Sequence, residues 1–446
     1  MTESYFFCGI GGSGMLPLAE IVRARGAEVA GSDRALDQGR TPAKFDALRA
    51  KGIALFPQDG SGVRAGQIVV ASAAIEETVP DIAAATRLGC ERMTRAELLA
   101  GLFNAARIGI AVGGTSGKST VTGMVGWILA QSGCDPTIMN GAVMKNFGSG
   151  AVVGGGDAFI SEVDESDGSI ALYRPAIAMV TNVALDHKSM DELRALFAAF
   201  VARARVAVVN ADNAESASLS WNTYGFAPEA DVRGSNVVEA PDGIAFEVTA
   251  DGESAHVALR VPGHHNASNA LAAIAAARAV GISLGEAVAA LSTYTGTNRR
   301  LDIIGTANGV TVIDDFGHNP DKVAATLRTL HAFPGRLLIF FQPHGYGPLA
   351  KMGRELAESF AANMRDGDRL IVSDPAYFGG TTDRSVGSDA FAAMVGAGAE
   401  HISARDECGK RLLELAAPGD RIVVMGARDD TLTLFAGELL ERLGRA

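Results

Sequence analysis

Cysteine is scarce in this chain, with four residues among 446, and the four lie far apart. No two of them form a Cys-x-x-Cys pair, so the sequence offers neither a disulfide framework nor a zinc-binding pattern. Such scattered positions are typical of reduced thiols in a cytosolic protein. The four cysteines are Cys8, Cys90, Cys134 and Cys408.

Basic residues are also fewer than acidic ones, and the sequence has no long apolar run. Lys and Arg number 39 against 51 Asp and Glu, which gives a net charge of −12. That balance argues against nucleic acid or an anionic membrane as a partner. No window approaches about 18 uninterrupted apolar residues, which predicts that the chain does not insert into membranes. The first residues lack a basic segment followed by an apolar one, so we expect no signal peptide and a cytoplasmic location.

Glycine is abundant, at 53 of 446 residues. Three times, a short apolar segment runs into a glycine-containing turn and then into a segment with helical periodicity. The predicted strands are 5–10, 108–112 and 336–341, and the predicted helices are 16–25, 119–132 and 352–363. Strands that alternate with helices indicate parallel sheets covered by helices, the α/β class. Between Asn236 and Val261 the pattern changes to strict alternation, which predicts hairpin-like strands at a sheet edge.

The length predicts three domains, because domains average roughly 150 residues. Short polar or glycine-containing stretches at residues 104–107 and 294–298 are suitable boundaries. No internal repeat of the kind found in solenoid proteins is present. We therefore expect domains at residues 1–106, 107–296 and 297–446.

The first glycine-containing turn has the spacing Gly9-x-Gly11-x-x-Gly14, and Asp33 follows the last glycine by 19 residues. Glycines at this spacing let backbone N–H groups approach a diphosphate at the positive end of a helix. Three interpretations stay open on the residues alone: a tight turn with no ligand, a nicotinamide cofactor site, or a site for another diphosphate such as a nucleotide-sugar.

The second glycine-containing turn reads Gly113-Gly-Thr-Ser-Gly117-Lys118-Ser119-Thr120. A lysine after glycine, then a hydroxyl residue, predicts a phosphate loop in which Lys118 meets the β- and γ-phosphates and Ser119 meets Mg²⁺. The loop is one residue tighter than the common spacing, with Gly113 as its first glycine. It is the strongest functional signal in the chain.

Several polar residues follow other predicted strands and could complete a nucleotide site. Four acids, Glu162, Asp164, Glu165 and Asp167, could hold Mg²⁺ on ATP or could form a solvated turn. Asp186 and His187 follow another strand, at the edge where α/β sites collect. Further candidates are Asn266 and Asn269, which share a helix face and could meet adenine or cap the helix, and Arg299, Arg300, Asp314 and Asp315 around the next strand.

Taken together, these motifs resemble the Mur ligase family, the ATP-dependent amide-forming ligases of peptidoglycan assembly. The resemblance covers essentially the whole chain. Its further cues are Glu162-Val-Asp-Glu-Ser-Asp-Gly168, Gly263-His-His-Asn-x-x-Asn269 and Phe341-Gln-Pro-His344. It implies a Rossmann-like N-terminal domain for a UDP-sugar, a P-loop ATPase central domain and a Rossmann-like C-terminal domain for the amino acid. ATP would phosphorylate the carboxylate of a UDP-N-acetylmuramate-type substrate, and an amine would attack the acyl-phosphate.

The resemblance also implies a role for individual residues. Lys118, Glu162 and His187 would be catalytic, and Ser119, Glu162 and His187 would hold Mg²⁺. The implied ATP-binding residues are Gly114, Thr115, Ser116, Gly117, Lys118, Ser119, Thr120, Asn266, Asn269, Arg300 and Asp315. The implied UDP-sugar-binding residues are Gly11, Gly12, Ser13, Gly14, Met15, Asp33 and Ser72. The implied amino-acid-binding residues are His318, His344 and Tyr346. We expect a monomer or a homodimer.

Within the family, the alanine-adding branch and its tripeptide-recycling relative are the most similar. That branch follows its Gln-Pro-His with two arginines that clamp the amino acid's carboxylate, where this chain has Gly345 and Pro348. It also has an aspartate where this chain has Ser189. Alternatives to alanine addition are therefore a related ligase for another amine or a peptide, or a nucleotide-binding regulator. A nicotinamide-dependent oxidoreductase would leave Lys118 and Ser119 unexplained.

Overall fold

The computed structural model describes residues 3–445, apart from residues 74, 185–187, 221, 377–383, 385, 428 and 430. These residues form two compact units. The first unit includes most of residues 3–295, and the second includes residues 296–445 together with 238–244 and 260–264. Three separate sheets, one in each predicted domain, confirm the α/β class. The predicted domain boundaries stay a prediction.

The first sheet has five parallel strands in the order β3-β2-β1-β4-β5. Its strands are β1 Ser4–Cys8, β2 Glu28–Ser32, β3 Ala54–Phe56, β4 Ile68–Ala71 and β5 Glu91–Thr94. Its helices are α1 Met15–Ala24, α2 Arg34–Asp37, α3 Pro42–Ala50, α4 Pro80–Arg87 and α5 Arg95–Asn104. Residues 57–67 join β3 to β4 without a helix. The predicted order of strand, glycine turn and helix at residues 5–25 is confirmed.

The second sheet has ten strands in the order β15-β14-β13-β12-β11-β10-β6-β9-β7-β8. The strands are β6 Ile108–Gly113, β7 Thr137–Met144, β8 Ser149–Val152, β9 Ala158–Glu162, β10 Ile177–Val180, β11 Val206–Asn210, β12 Thr223–Gly225, β13 Val232–Ala240, β14 Gly243–Ala250 and β15 Glu253–Leu259. The helices are α6 Lys118–Gln131, α7 Met190–Ala202, α8 Ala214–Ala217, α9 His264–Ala279 and α10 Leu284–Leu291, with a short 3₁₀ helix at Ser169–Leu172. The strands β13–β15 end one edge of the sheet and are joined by two-residue turns, as only antiparallel neighbours can be. This confirms the predicted hairpins.

The third sheet has six strands in the order β16-β17-β21-β18-β19-β20, with β16 antiparallel to β17 and the other pairs parallel. Its strands are β16 Asp302–Ala307, β17 Val310–Asp315, β18 Leu337–Gln342, β19 Arg369–Val372, β20 Ala399–His401 and β21 Arg421–Gly426. Its helices are α11 Pro320–His331, α12 Tyr346–Asn363, α13 Ser388–Val395, α14 Arg405–Leu415 and α15 Thr431–Arg445. Two apolar clusters pack on its opposite faces, as expected for a buried parallel sheet.

One predicted helix is longer than expected. The sequence predicts a helix from Met352, whereas α12 begins six residues earlier, at Tyr346. Pro348 lies in its first turn, where a missing N–H costs no helical hydrogen bond. Over the described part of the chain, none of the helices has the length and apolar character needed to cross a lipid bilayer.

Candidate functional site

The phosphate loop lies between β6, at the centre of the second sheet, and the first turn of α6. It needs glycine at two positions, because Gly114 has φ +127° and Gly117 has φ +87°. Thr181, just after β10, donates a hydrogen bond from its hydroxyl to the Ser116 carbonyl at 2.6 Å. The Asn182 side chain accepts from the Ser116 N–H at 2.9 Å. A β-carbon at Gly114 would collide with the Thr181 hydroxyl. The segment that directly follows β10 therefore fixes the conformation of the phosphate loop.

Lys118 begins α6 and points its ammonium group back over the loop. Nζ donates to the Gly114 carbonyl at 2.7 Å and to Glu165 Oε2 at 2.8 Å. Glu165 is buried, with a side chain only 6% exposed, whereas the Lys118 side chain is 20% exposed. The lysine is thus held at the loop by an internal carboxylate, at the place where a phosphate would meet it.

Ser119 and Glu162 are brought together as predicted, since the Ser119 hydroxyl donates to Glu162 Oε2 at 2.7 Å. The other Glu162 oxygen faces Gly141, where a β-carbon would collide with it. A hydroxyl beside a carboxylate is the donor set that Mg²⁺ takes in phosphate-loop enzymes. His187, the third predicted metal ligand, lies outside the described residues. Among those that are described, no group of three or more His, Cys, Asp and Glu side chains is arranged to hold a metal.

The two predicted adenine-binding amides lie on α9. Because α9 begins at His264, Asn266 lies inside its first turn and is buried, so it does not cap the helix end. Asn269 donates from Nδ2 to Asn266 Oδ1 at 3.3 Å. A β-carbon at Gly117 would lie only 2.6 Å from Asn269 Oδ1. The structure therefore brings this amide pair to the phosphate loop, through Asn269.

The first glycine turn already holds a carboxylate of its own chain. The Gly11 N–H donates to Asp33 Oδ2 at 2.8 Å, and the Ala35 N–H donates to Asp33 Oδ1 at 2.7 Å. Gly9 has φ +79°, and Gly14 immediately precedes α1. Ser72 follows β4 at the same edge of the sheet. The predicted UDP-sugar-binding residues therefore lie together at the carboxyl ends of β1, β2 and β4.

Two cations beside this turn were not predicted from the sequence. Lys44 in α3 donates from Nζ to the Gly11 carbonyl at 3.2 Å. Arg95 begins α5, and a β-carbon at Gly14 would lie 3.1 Å from its Cδ. The preceding Thr94 forms a capping box with Glu97, a pattern visible in the sequence that fixes where α5 starts. That signal locates the start of α5, but it does not show that Arg95 lies beside Gly14, 81 residues earlier in the chain.

Arg95 also lines a cavity beside the phosphate loop. With Lys118, Glu162 and Asp164 it lines a small cavity of about 90 Å³, and its Nη2 lies 3.9 Å from Asp167 Oδ2. Burial acts to raise the pKa of Asp164, but hydrogen bonds from Ser166 and the charges of Lys118 and Arg95 outweigh it and hold that pKa below its ordinary value. The cavity is therefore lined by charges of both signs, two cations and two carboxylates.

In the second unit, the two predicted phosphate-region residues have different surroundings. Asp315 is buried and accepts from the Leu301 and Gly317 N–H groups and from the Thr326 hydroxyl, each at 2.9 Å. These bonds fix the turns that flank β17, so the carboxylate has a structural role there. Arg300 lies with its guanidinium 4.5 Å from the centre of the Phe316 ring.

The predicted amino-acid-binding residues cluster at the carboxyl ends of β17 and β18. The rings of His318 and His344 lie 5.2 Å apart, edge to face, and Tyr346 begins α12. Burial, reinforced by the charge of Lys322, lowers the pKa of His318 from 6.5 to about 2. Its Nδ1 lies 2.7 Å from the Phe316 carbonyl, an acceptor, so Nδ1 carries the proton. His318 is therefore a neutral ring, which supplies no positive charge.

Together, the three sheets and the phosphate loop with its Ser119–Glu162 pair define a multidomain ATP-dependent enzyme. Three family models match the chain: "Mur ligase family, catalytic domain" at residues 4–107, "Mur ligase middle domain" at 112–277 and "Mur ligase, glutamate ligase domain" at 299–428. The chain belongs to the Mur ligase family and is an ATP-dependent ligase. The predicted resemblance is confirmed.

Individual relatives agree with this assignment. The UDP-N-acetylmuramate–L-alanine ligase of Streptomyces coelicolor is 37% identical over 449 residues, covering 95% of both chains. That of Cereibacter sphaeroides is 36% identical over 467 residues, covering 99% of this chain and 97% of the relative. The solved UDP-N-acetylmuramate-alanine ligase of Thermotoga maritima shares the fold, with a TM-score of 0.81, 23% identity and 98% coverage of both chains. A murein peptide ligase from Psychrobacter arcticus shares it with a TM-score of 0.73, 24% identity and coverage of 100% and 99%.

Proposed function

We propose that this ligase joins the carboxylate of UDP-N-acetylmuramate to L-alanine, using ATP and Mg²⁺, in cytoplasmic peptidoglycan synthesis. The observation that carries the proposal is the position of Arg95, which lies beside the first glycine turn and lines a cavity of the ATP site. Arg95 contacts the first turn at Gly14 and lines the same cavity as Lys118 and Glu162 of the ATP site. A sugar nucleotide held at the first turn would therefore extend toward the phosphate that is transferred.

The first chemical step is transfer of the γ-phosphoryl group from ATP to a carboxylate oxygen. The new O–P bond forms as the bond between the γ-phosphorus and the β–γ bridging oxygen breaks, which gives an acyl-phosphate and ADP. Lys118 would leave Glu165 and neutralise charge on the transferred group. Ser119, Glu162 and His187 would hold Mg²⁺, which when bound neutralises phosphate charge. The Gly114 and Gly117 turns would direct N–H groups at the phosphates.

In the second step the amine nitrogen attacks the acyl carbon. The C–N bond forms, the bond to phosphate breaks, and the ammonium proton leaves to solvent or to inorganic phosphate. His318, His344 and Tyr346 would line the site of the incoming amine. Asn266 and Asn269 would meet adenine, and Arg300 and Asp315 would flank the ribose and phosphates. We expect a monomer or a homodimer.

The UDP diphosphate would be held at the first turn. Gly11–Met15 would supply N–H groups and the helix end, with Asp33 and Ser72 beside them. Lys44 and Arg95 add the two positive charges that this turn needs for a dianionic diphosphate. The pair is notable in a chain of net charge −12, because it concentrates cations where the proposal requires them.

Release of phosphate from ATP tests the proposal. Turnover is expected only when UDP-N-acetylmuramate, L-alanine and Mg²⁺ are all present. Lys118→Ala should abolish it, whereas Lys410→Ala, at an exposed ion pair on α14, should leave it unchanged. Turnover that needs no sugar nucleotide, or that survives Lys118→Ala, would contradict the assignment.

A second candidate keeps the sugar and the ATP chemistry but takes a peptide or another amine. One observation favours it: Gly345 and Pro348 stand at the start of α12 in place of two arginines, and the cation that the described residues bring to this turn is Arg384, 5.8 Å from the centre of the Tyr346 ring. His318 supplies no charge there. A panel of amines that includes L-alanine, glycine, L-serine and a tripeptide separates the candidates through the ratio of kcat/KM values.

A further inference from the structure

A second cavity lies at the amino-terminal ends of the strands of the first sheet. It has a volume of about 230 Å³ and is lined by Ser4, Glu28 and Ala54, the first residues of β1, β2 and β3. The glycine turn, in contrast, follows the carboxyl end of β1. Since these strands are parallel, the cavity and the sugar-nucleotide turn lie at opposite ends of them. Gly62, Arg64 and Gln67, from the segment that joins β3 to β4 without a helix, also line it.

Two guanidinium groups line this cavity. Arg23, in the last turn of α1, donates to two backbone carbonyls, those of Lys51 and Ala27, each at 3.3 Å. Arg64 is exposed and its guanidinium lies 6.0 Å from the centre of the Phe56 ring. Over the residues that the structure describes, neither guanidinium has a carboxylate within ion-pair distance. In a chain of net charge −12, this cavity thus places two guanidinium groups, each able to donate charged hydrogen bonds to an anion, side by side in its lining.

The remaining lining limits what the ligand can be. Gln67 is buried, and its amide is already used, accepting from the Arg64 N–H at 2.8 Å and donating toward the Ser4 hydroxyl at 3.5 Å. Glu28 adds an exposed carboxylate at the rim. This carboxylate would repel a ligand with several anionic groups, so the lining favours a ligand with one small oxyanionic group.

We propose that the Arg23–Arg64 cavity binds a small oxyanion, the carboxylate or phosphate group of a low-molecular-weight ligand. The site is separate from the ligase site, and Arg23 links the two, since α1 runs from the glycine turn to this cavity. The two guanidiniums supply the charge, and Phe56 supplies an apolar wall. Glu28 sets an upper limit on the charge of the ligand.

Phenylglyoxal modification of the full chain, followed by peptide mass mapping, tests this proposal with Arg64 as the reporter. Inorganic phosphate and acetate are the two probes, because they represent the two sources of an oxyanion. Protection of Arg64 at millimolar concentration by both, by phosphate alone or by acetate alone supports the site and identifies its preferred group. Arg87, exposed on the last turn of α4, should stay unprotected.

Two variants that leave the reporter Arg64 in place should shift the half-protecting concentration in opposite directions. Arg23→Gln should raise the half-protecting concentration about tenfold or more, since one charge-assisted contact is lost. Glu28→Gln should lower it several-fold, because a nearby negative charge is removed, and Arg87→Gln should leave it unchanged. The proposal is overturned if neither probe protects Arg64, if Arg87 is protected equally, or if Arg23→Gln and Glu28→Gln have no effect.

Discussion

Replacing Glu165 by glutamine is expected to make the folded protein less stable and to make it bind nucleotide more tightly. In the structure, Glu165 Oε2 accepts from Lys118 Nζ at 2.8 Å. Glutamine keeps the shape and can still accept a hydrogen bond, but it removes the negative charge. The ammonium group then loses its charged partner in the free protein, whereas its interaction with a bound phosphate is retained. One substitution thus moves two measured quantities in opposite directions.

The size of both effects follows from the burial of the pair. Hydrogen bonds to charged groups contribute roughly 1.5–3 kcal/mol, against about 1 kcal/mol for neutral ones. Because the Lys118 side chain is 20% exposed, the loss should fall below the 3–5 kcal/mol typical of breaking a fully buried pair. We expect the free energy of unfolding to fall by about 1–2 kcal/mol. Affinity for ADP should rise by a similar free energy, about 5- to 30-fold.

Urea denaturation of the nucleotide-free protein and calorimetric titration with ADP measure the two quantities. Glu407→Gln is the matched control, since Glu407 pairs with Lys410 at 2.6 Å on the surface, both side chains being 55% exposed. Its effect on stability should stay below about 1 kcal/mol. If Glu165→Gln weakens ADP binding together with stability, Glu165 contributes to the bound state as well, and the reasoning is refuted.

Three further expectations concern backbone conformation and pH. Gly117→Ala should lower ATP turnover and the free energy of unfolding. A residue with a side chain at φ +87° is strained by roughly 1–2 kcal/mol, and the new methyl group would collide with Asn269. Gly133→Ala, at φ +75° with no neighbouring atom within 4 Å, is the control and should keep turnover. Gly345→Arg alone should not lower the KM for alanine in steady-state assays, since φ +145° and ψ 160° form a region reserved for glycine. Because the pKa of His318 is depressed in the folded protein, its imidazole is protonated just below pH 6.5 only in the unfolded chain. Stability should therefore fall as pH drops below about 6.5, and His318→Gln should reduce that slope in denaturation measured at stepped pH.

Local sequence patterns were sufficient for the elements around the phosphate loop. The predicted strand 108–112 and helix 119–132 match β6 Ile108–Gly113 and α6 Lys118–Gln131 to within a residue. An apolar strand, a glycine turn and a helical period are all set by neighbours in the chain, so periodicity can show them. The start of α12 was missed because Gly345, Gly347 and Pro348 are typical of a loop, although proline is tolerated in a first helical turn.

The contacts between distant segments could not be predicted in the same way. Lys44 and Arg95 reach the first glycine turn, at Gly11 and Gly14, from other helices of the same domain. Their side chains carry no distinctive spacing, and only the sheet order brings them to the turn. Similarly, four acids follow β9, but the pattern does not distinguish Glu165, which pairs with Lys118, from its neighbours. Tertiary packing makes that choice.

The two glycine turns share a feature with a consequence for how they exchange ligands. Each is occupied by a carboxylate of the chain itself, Asp33 at the Gly11 N–H and Glu165 at the Lys118 ammonium. Under the proposed function, an arriving phosphate would replace an internal anion, so the donors that Asp33 and Glu165 engage would stay satisfied throughout. Binding would then be a competition between two anions for one set of donors, and the strength of the internal anion would set how readily a phosphorylated product leaves.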